Sequence, residues 1–403
     1  MIVVGGTYTE ICFEPIWENI YGSGFRAVNL LIENGGFEVI DFYTCADAEI
    51  KAHLDYNTKL NTNLNVHITE IKKSPEFHYD HPLKTPRIIP RPDVYNTTTK
   101  TISAEGNNIL AYGLLEASII VRGKKVVYDP QSPVNPIPFS ATESTAEKLI
   151  TIVNLGEAEK LTGKTEIEDI KNYFFDSEMC FGLIIKMGAK GAFLFESNNN
   201  DPVKIPVFET NKVWPIGSGD VFSAYFAQNW FNGASLKSSA LLASKATAIY
   251  CNTQDLSLKK GLDSFTFKSL LIDKIPSEQI YLAGPFFTFS ERWLVNEVWN
   301  TFKSIGLKVF SPFHDVGHGQ ANDVVCKDLE GLDESKIVFA IIDGLDSGTL
   351  FEVGYAICQK KKVVAFVQKE GEESLKMLEG TNCIIERDFT TAIYKLYWEL
   401  AKE

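Results

Sequence analysis

Short apolar runs alternate with longer amphipathic segments along most of this chain. The apolar runs have the length and composition of buried strands, and they occupy residues 1–4, 38–43, 117–121, 125–128, 150–154 and 183–188. Apolar positions at helical spacing follow several of them, as in residues 22–31 and 236–251. Strands that alternate with helices predict a mostly parallel sheet with helices on both faces.

Residues 55–108 interrupt this alternation. The segment is rich in Asn and Thr, and prolines occur at positions 75, 82, 86, 90 and 92. Because proline lacks an amide hydrogen and clashes with the preceding helical turn, the segment cannot form one long helix. We predict short strands and turns that project from the main body.

A second break, near residues 273–278, combines proline with charged side chains. A new strand starts at residue 279, and further apolar strands alternate with helices at residues 308–312, 337–343 and 362–367. An opening strand after a complete α/β unit indicates a second domain. We therefore predict two domains, residues 1–272 and residues 279–403.

The composition narrows the possible functions. The 403 residues are 45% hydrophobic and 23% charged, and the net charge of −13 argues against a nucleic-acid or anionic-membrane surface. No apolar run approaches the length of a membrane span, and no secretory signal opens the chain. The seven cysteines are scattered without a C-x-x-C pair, which indicates reduced thiols, no zinc site and a cytoplasmic location.

The first candidate for chemistry is the Gly-Ser-Gly-Asp stretch at residues 217–220, which precedes an apolar helix. Glycine allows the backbone to approach an anion closely, and a helix N-terminus offers unpaired N–H groups and a positive dipole. Asp220 beside such an anion site could accept the proton of an attacking hydroxyl. Taken alone, the stretch also fits a glycine turn in which Asp220 caps the helix.

Two further motifs precede this stretch, Asn-Leu-Gly-Glu at residues 154–157 and Lys-Met-Gly-Ala-Lys-Gly-Ala at residues 186–192. The order and spacing of the three motifs resemble those of PfkB-type (ribokinase-like) sugar and nucleoside kinases, over residues 1–270. The resemblance implies a ribokinase-like, mostly parallel sheet with a small β lid at about residues 55–100. It also implies ATP and Mg²⁺ as cofactors.

The same resemblance implies roles for individual residues. Asp220 would be the catalytic base, next to an anion hole formed by backbone amides. The amides of this hole would belong to Gly217, Ser218 and Gly219. Asn154 and Glu157 would organise Mg²⁺ and the phosphates mostly through water, so that no side chain binds the metal directly. Phosphoryl transfer needs this combination of positioning, charge neutralisation and a base.

Several positions depart from the family pattern. Glu10 stands where an Asp usually holds the sugar hydroxyls, and Arg26 stands where an Asn usually contacts the sugar. A guanidinium suits a carboxylate or phosphate, so Arg26 either binds a substrate that already carries an anion or forms a surface salt bridge. Trp214 begins a Trp-Pro-Ile segment in place of Asp-Thr-Thr, which argues against a monovalent-cation site. Its ring either stacks on the substrate or belongs to the core. His78 and His81 are interpreted as part of a solvated turn rather than as substrate contacts.

In the second domain, Asp346 and Glu352 flank a glycine-containing helix start after the apolar strand at residues 337–343. The helix dipole favours an anion in the first turns, and the apolar neighbours of Glu352 partly desolvate it. A positioned, desolvated carboxylate can attack an anomeric carbon. Taken alone, the pair also fits a turn residue and a surface acid.

Residues 279–400 resemble nucleoside 2-deoxyribosyltransferases in the segments at residues 281–285, 328–329 and 346–356. The resemblance implies Glu352 as the nucleophile that forms a glycosyl-enzyme intermediate and Asp328 as the acid/base near the nucleobase. It implies Asp346 as a contact to the hydroxyl side of the sugar and Tyr281 as the residue that orients the glutamate. Because relatives that act on nucleotides carry a small hydroxyl residue in place of Asp346, and a carboxylate repels phosphate, a nucleoside is the favoured substrate.

Together these observations predict a ribokinase-like α/β domain followed by a flavodoxin/Rossmann-like α/β domain, in a bifunctional enzyme that acts on small-molecule sugars or nucleosides. Some transferases contribute an Asn to the site of a neighbouring subunit, and residues 374–377 lack an Asn. The sequence is therefore compatible with transfer of the sugar to a second base and with transfer to water. The assembly of that family into oligomers predicts a homo-oligomer. Two alternatives remain: a nucleotide-sensing protein with a non-catalytic kinase-like domain, and a glycohydrolase that cleaves a dinucleotide of the NAD type.

Overall fold

The structure, a computed structural model, describes residues 1–97, 100–132, 134–197, 199–272 and 274–402. The chain divides into two compact units, one of residues 1–210 and 214–271 and the other of residues 211–213 and 272–403. Residues 98 and 99 of the predicted lid, residue 273 at the predicted break and residue 403 lie outside the described residues.

The strands of the first unit are described here in chain order. They are β1 (Ile2–Val4), β2 (Thr9–Cys12), β3 (Trp17–Ile20), β4 (Ile40–Ala46), β5 (Leu64–Glu70), β6 (Glu76–Tyr79), β7 (Arg87–Ile89), β8 (Thr101–Tyr112), β9 (Ser118–Asp129), β10 (Thr145–Asn154), β11 (Gly182–Lys186), β12 (Ala192–Glu196), β13 (Asn199–Ile205), β14 (Val207–Glu209) and β15 (Lys268–Leu270). The helices are α1 (Gly22–Asn34), α2 (Ala48–Leu60), α3 (Leu155–Thr162), α4 (Ile167–Asp176), α5 (Ser218–Phe231), α6 (Leu236–Thr253) and α7 (Lys259–Asp263). Short 3₁₀ turns occupy Pro92–Thr97, Phe139–Thr142 and Gly188–Lys190.

The main sheet of this unit has nine strands in the order β13-β12-β11-β10-β9-β8-β1-β4-β5. The seven strands from β11 to β5 are parallel, and β12 pairs antiparallel with β11 and with β13. Successive side chains of a strand point to opposite faces. Val3 accordingly packs in one buried cluster with α1, α5 and α6, whereas Ile2 and Val4 pack in another with α3 and α4. The predicted α/β class, a mostly parallel sheet covered on both faces, is confirmed.

A small second sheet has the order β3-β2-β6-β7 and corresponds to a lid. Its position differs from the predicted range of residues 55–100, because half of its strands precede α1 and the early part of that range belongs to the main body. There α2 ends at Leu60, and β5 pairs with β4 along seven residue pairs at the edge of the main sheet. The long-range parallel pairing of β2 with β6 has no local signal in the sequence.

Strands β8 and β9 also differ from the prediction. The sequence predicts short strands and turns up to residue 108 and separate strands at 117–121 and 125–128. Instead, the two twelve-residue strands pair in parallel from Thr101 opposite Ser118 to Tyr112 opposite Asp129. Gly106 and Gly123 are partners in this ladder, so the glycines lie within the strands and do not end them.

The second unit is a five-stranded parallel sheet with the order β17-β16-β18-β19-β20. Its strands are β16 (Gln279–Ala283), β17 (Lys308–Phe310), β18 (Ile337–Ile341), β19 (Lys362–Phe366) and β20 (Ile384–Glu386). Its helices are α8 (Phe289–Ser304), α9 (Ala321–Glu334), α10 (Ser347–Cys358), α11 (Glu372–Glu379) and α12 (Phe389–Ala401), with a π-helical turn at Pro312–Val316. The predicted second α/β domain is therefore present. Within the described parts of both units, no helix combines the length and the apolar character of a membrane span.

Candidate active sites

A pocket of about 580 Å³ opens in the first unit at the carboxyl ends of β8, β10 and β11. Ligands of open parallel sheets bind at this edge. The pocket brings together all the residues that the sequence predicts for the kinase site. They are Glu10, Arg26, Asn154, Glu157, Gly217, Ser218, Gly219 and Asp220.

Asn154 and Glu157 form a capping box at the start of α3. The side chain of Asn154 accepts from the backbone N–H of Glu157 at 2.8 Å, and the carboxylate of Glu157 accepts from the N–H of Asn154 at 2.9 Å. Burial and the nearby carboxylate of Asp129 raise the pKa of Glu157 to about 7. The motif therefore fixes the helix start and, at the same time, presents a carboxylate to the pocket.

A buried ion pair that the sequence did not predict as part of the site lies beside this box. Lys186, at the end of β11, donates to Oδ2 of Asp129 at 2.8 Å, and Ser223 donates to the same oxygen at 2.7 Å. Oδ1 of Asp129 is buried and has no hydrogen-bond partner among the described residues. Burial alone would lower the pKa of Lys186, but the carboxylates of Asp129 and Glu157 raise it. A positive charge therefore stands in the pocket next to an oxygen without a partner.

The glycine loop leads directly into α5. Gly217 is the N-cap residue with a φ of 76°, a left-handed conformation that glycine adopts without strain, and Asp220 lies in the first turn. The alternative in which Asp220 caps the helix is therefore wrong. The first residues of α5 and its N-cap line the pocket, which is the place where an anion site at a helix N-terminus would lie.

Arg26 lies between the predicted base and Glu10. Its side chain is 1% exposed, and its Nη1 donates to Oδ2 of Asp220 at 2.5 Å while its Nη2 donates to Oε2 of Glu10. Gln131 donates to Oδ1 of Asp220 at 2.5 Å, so both oxygens of this carboxylate are engaged. Burial raises the pKa of Glu10, against the opposing effect of Arg26. The surface salt bridge considered for Arg26 is wrong, because the pair is buried inside the pocket.

Trp214 and the two lid histidines are not among the described residues that line the pocket. Trp214 is 4% exposed and makes an edge contact with Trp17, with ring centroids 5.1 Å apart, so its ring belongs to the core. His78 lies in β6, where it contacts the carboxylate of Glu76 at 3.1 Å, and His81 is buried. The predicted solvated turn is therefore wrong: His78 lies in a strand and His81 is buried.

The predicted residues of the second unit also lie close to one another. The hydroxyl of Tyr281, a buried residue of β16, donates to Oε1 of Glu352 on α10 at 2.8 Å. The Tyr281 ring stacks on Phe310, with centroids 5.6 Å apart. Burial raises the pKa of Glu352 to about 7, and the carboxylates of Asp328 and Asp346 add to this effect against the Tyr281 hydrogen bond. The Glu352 carboxylate is thus fixed by a hydrogen bond from Tyr281 and is not a solvated surface acid.

The other two carboxylates of this site differ in their surroundings. Asp346 is the N-cap of α10, and its Oδ2 accepts from the backbone N–H of Thr349 at 2.8 Å and from its hydroxyl at 3.0 Å. Asp328 lies on α9, and its Oδ1 is buried without a hydrogen-bond partner among the described residues. Burial raises the pKa of Asp328, which favours its protonated form. This arrangement can supply one carboxylate for attack and one carboxylic acid for proton donation.

Within the described residues, no group of three or more His, Cys, Asp or Glu side chains could hold a metal ion. Oxygens for water-mediated contacts to a hard cation are nevertheless present in the first pocket. They belong to Asn154 and Glu157, which both line the pocket.

Comparisons with known protein families find one match within each of the two units. Residues 122–259 match the model of the pfkB family carbohydrate kinases, and residues 280–387 match that of the nucleoside 2-deoxyribosyltransferases. No curated protein matches the chain. Similar solved structures include a fructokinase from Vibrio cholerae O395 in a form with bound fructose, ADP and calcium (13% identity, 66% of this chain and 98% of that one, TM-score 0.49).

A ribokinase from Thermotoga maritima is similar at 17% identity, over 66% of this chain and 98% of that one, with a TM-score of 0.48. A nucleoside kinase from Methanocaldococcus jannaschii is similar at 13% identity, over 64% of this chain and 93% of that one, with a TM-score of 0.47. The family assignment rests on the two model matches and on the motifs within and beside them. The chain thus contains a region similar to the pfkB family carbohydrate kinases, followed by a region similar to the nucleoside 2-deoxyribosyltransferases.

Proposed function

We propose that the protein is a bifunctional enzyme of nucleoside and sugar metabolism. The first unit would phosphorylate a sugar or nucleoside hydroxyl with ATP and Mg²⁺, and the second would cleave or exchange the N-glycosidic bond of a (deoxy)nucleoside. The observation that carries the proposal is the hydrogen bond from Tyr281 to Glu352, next to the unpartnered carboxyl oxygen of Asp328. A held nucleophile and a separate acid are what a double displacement at an anomeric carbon needs.

In the kinase unit, the chain supplies positioning and charge. The amides of Gly217, Ser218 and Gly219 would bind the phosphoryl oxygens at the N-terminus of α5, and Lys186 would neutralise part of their charge. Asp220 would take the proton of the acceptor hydroxyl. Mg²⁺ would neutralise phosphate charge near Asn154, Glu157 and Asp129, through water.

In the second unit, Glu352 would attack C1′ of the nucleoside as the base departs, and Asp328 would donate a proton to that base. Tyr281 would hold Glu352 in place for the attack. Asp346 uses one oxygen to cap α10, and its other oxygen would contact the hydroxyl side of the sugar. Transfer of the sugar to a second base, or to water, would complete the reaction with retention of configuration.

We also propose a cytoplasmic homo-oligomer that acts on small molecules and not on nucleic acid. The net charge of −13 supports the absence of a nucleic-acid surface. No disulfide joins any of the described cysteines, in agreement with a reducing compartment.

The pH dependence of N-glycosidic turnover tests the role of Glu352. Because the pKa of Glu352 is raised to about 7 and only its ionised form can attack, the rate is expected to fall as the pH drops below about 7, by about tenfold per pH unit. At higher pH the rate is expected to fall again as the proposed acid Asp328 loses its proton. A rate that stays constant between pH 5 and 8 would contradict this role.

The Tyr281→Phe variant tests the proposed positioning of Glu352. It removes a hydrogen bond to a carboxylate, which is worth about 1.5–3 kcal/mol, so kcat should fall roughly 10–100-fold. The same hydrogen bond lowers the pKa of Glu352, so the acidic limb of the pH profile should move to higher pH in the variant. If kcat falls but the acidic limb of the pH profile stays at the same pH, Tyr281 has a structural role only.

A mass-spectrometric screen tests the proposal as a whole. Nucleosides and sugars are incubated with the protein, with and without ATP and with and without a second free base. Phosphorylated products that need ATP, and released or exchanged bases that do not, are the expected results. ATP binding without any phosphorylated product would favour the nucleotide-sensing alternative, and cleavage of NAD alone would favour the dinucleotide glycohydrolase.

A further inference from the structure

The predicted base of the kinase unit is held by a buried cation. Arg26 contributes one guanidinium to two carboxylates, Asp220 and Glu10, and the side chains of all three residues are at least nine-tenths buried. Glu10 is anchored in turn by the backbone N–H of Gly22, which donates to it at 3.0 Å. Two negative charges therefore share one positive charge. Glu10 also accepts a hydrogen bond from the backbone of α1, at Gly22, whereas Asp220 does not.

The guanidinium also faces the anion site. A Cβ atom placed on Gly217 would lie 2.2 Å from Cζ and Nε of Arg26, so the guanidinium contacts the glycine loop directly. Nε of Arg26 is buried and has no hydrogen-bond partner among the described residues. One N–H donor of the guanidinium, beside the glycine loop, is therefore without a partner among the described residues.

Charge decides which acceptors can enter. A neutral hydroxyl brings no negative charge to replace that of Asp220 beside the buried guanidinium. A neutral sugar would therefore leave the buried charge of Arg26 less compensated if it took the place of Asp220. A carboxylate or phosphate group does compete, because the planar guanidinium binds such groups through two parallel hydrogen bonds.

We propose that the acceptor of the kinase unit already carries a carboxylate or phosphate group, which binds Arg26 in place of Asp220 and so frees the base. This inference rests on the proposed kinase function. In the resulting step, the acceptor oxygen bonds to the γ-phosphorus of ATP, and the bond from that phosphorus to the β–γ bridging oxygen breaks. The hydroxyl proton passes to Asp220, and ADP leaves.

Matched acceptor pairs test this specificity. Initial rates are measured with ribose and ribose 5-phosphate, with thymidine and thymidine 5′-monophosphate, and with glucose and gluconate. The anionic member of at least one pair should have a kcat/KM at least tenfold higher than its neutral partner, and the preferred pair distinguishes phosphate from carboxylate. In Arg26→Gln, KM for the anionic acceptor should rise at least tenfold and the preference should vanish, whereas Arg26→Lys should keep part of it.

Binding to Asp220→Asn provides a test that does not depend on the folding of an Arg26 variant. Because the competing carboxylate is gone, this variant should bind ribose 5-phosphate, or the preferred anion from the kinetic screen, about tenfold more tightly than the wild type in calorimetry. An Arg26 that only stabilises the fold would leave this affinity unchanged or lower, which would overturn the inference.

The outcomes separate the inference from the function on which it rests. Equal rates with neutral and anionic acceptors, or turnover of neutral acceptors alone, would overturn the inference and leave the kinase function standing. Tighter anion binding by Asp220→Asn, with no ATP turnover by the wild type on any acceptor, would support the anion site and reject the kinase function.

Discussion

The Glu352→Ala variant is expected to lose N-glycosidic turnover by a factor of about 10⁴ or more, because no other described side chain occupies the position of the proposed nucleophile. Glu352 accepts the hydrogen bond of Tyr281 at 2.8 Å and has a pKa raised to about 7, so it is both held and partly protonated at neutral pH. The loss should appear in kcat, measured by release of the free base from a deoxynucleoside.

A matched control for this variant is Glu330→Ala, which removes an exposed glutamate of α9. The control should keep wild-type turnover. ATP-dependent phosphorylation by the first unit should be unchanged in both variants, because the two proposed sites lie in separate compact units. Glycosidic turnover close to wild type in Glu352→Ala would remove this residue from the mechanism.

The Asp220→Asn variant is expected to reduce phosphoryl transfer roughly 10²–10⁴-fold, the usual contribution of a general base. Asparagine can still accept a hydrogen bond from Arg26 but cannot take the hydroxyl proton. ATP affinity should change little, because the phosphates would be bound by the amides of the glycine loop and by Lys186. ADP formation in the presence of the acceptor, together with the ATP dissociation constant from calorimetry, measures both effects.

Asp263→Asn, an exposed position at the end of α7, is the matched control and should retain full kinase turnover. Kinase turnover in Asp220→Asn equal to that of this control would exclude Asp220 as the base. A variant that loses ATP binding as well would point instead to a collapse of the loop at residues 217–220.

The sequence predicts those parts of the fold that depend on local patterns. Buried strands of the main sheet are visible as apolar runs. The candidate ligand-binding residues are expected at the carboxyl ends of these strands, because ligands of parallel sheets bind at that edge. Asn154 at the end of β10 is one example. The contact between Tyr281 and Glu352 is also expected, since both residues lie in motifs of one family.

The parts that the sequence does not predict depend on contacts between distant segments. Arg26 and Asp220 are 194 positions apart, and Asp129 and Lys186 are 57 apart, so no periodicity links either pair. The sequence leaves Arg26 either as a substrate contact or as part of a surface salt bridge, because arginine is rarely buried. Its burial depends on the facing carboxylates of Glu10 and Asp220, which the sequence does not place beside it.

The lid illustrates the same point for the backbone. Its strands come from both sides of α1, α2 and β5, and the pairing of β2 with β6 joins them. The composition of residues 55–108 marks an irregular segment but gives no information on the strands that pair with it. Trp214, which replaces a polar residue of the family pattern, packs against Trp17 for a similar long-range reason.

Trapping of the glycosyl-enzyme tests the central claim most directly. A 2-fluoro-2-deoxy nucleoside destabilises the oxocarbenium-like transition state, so the covalent intermediate should accumulate. Intact-mass spectrometry of the wild-type protein should then show the added mass of one fluorinated sugar, and peptide mapping should place it on Glu352. No adduct should form on Glu352→Ala. An adduct on any other residue, or an adduct that persists in Glu352→Ala, would contradict the account.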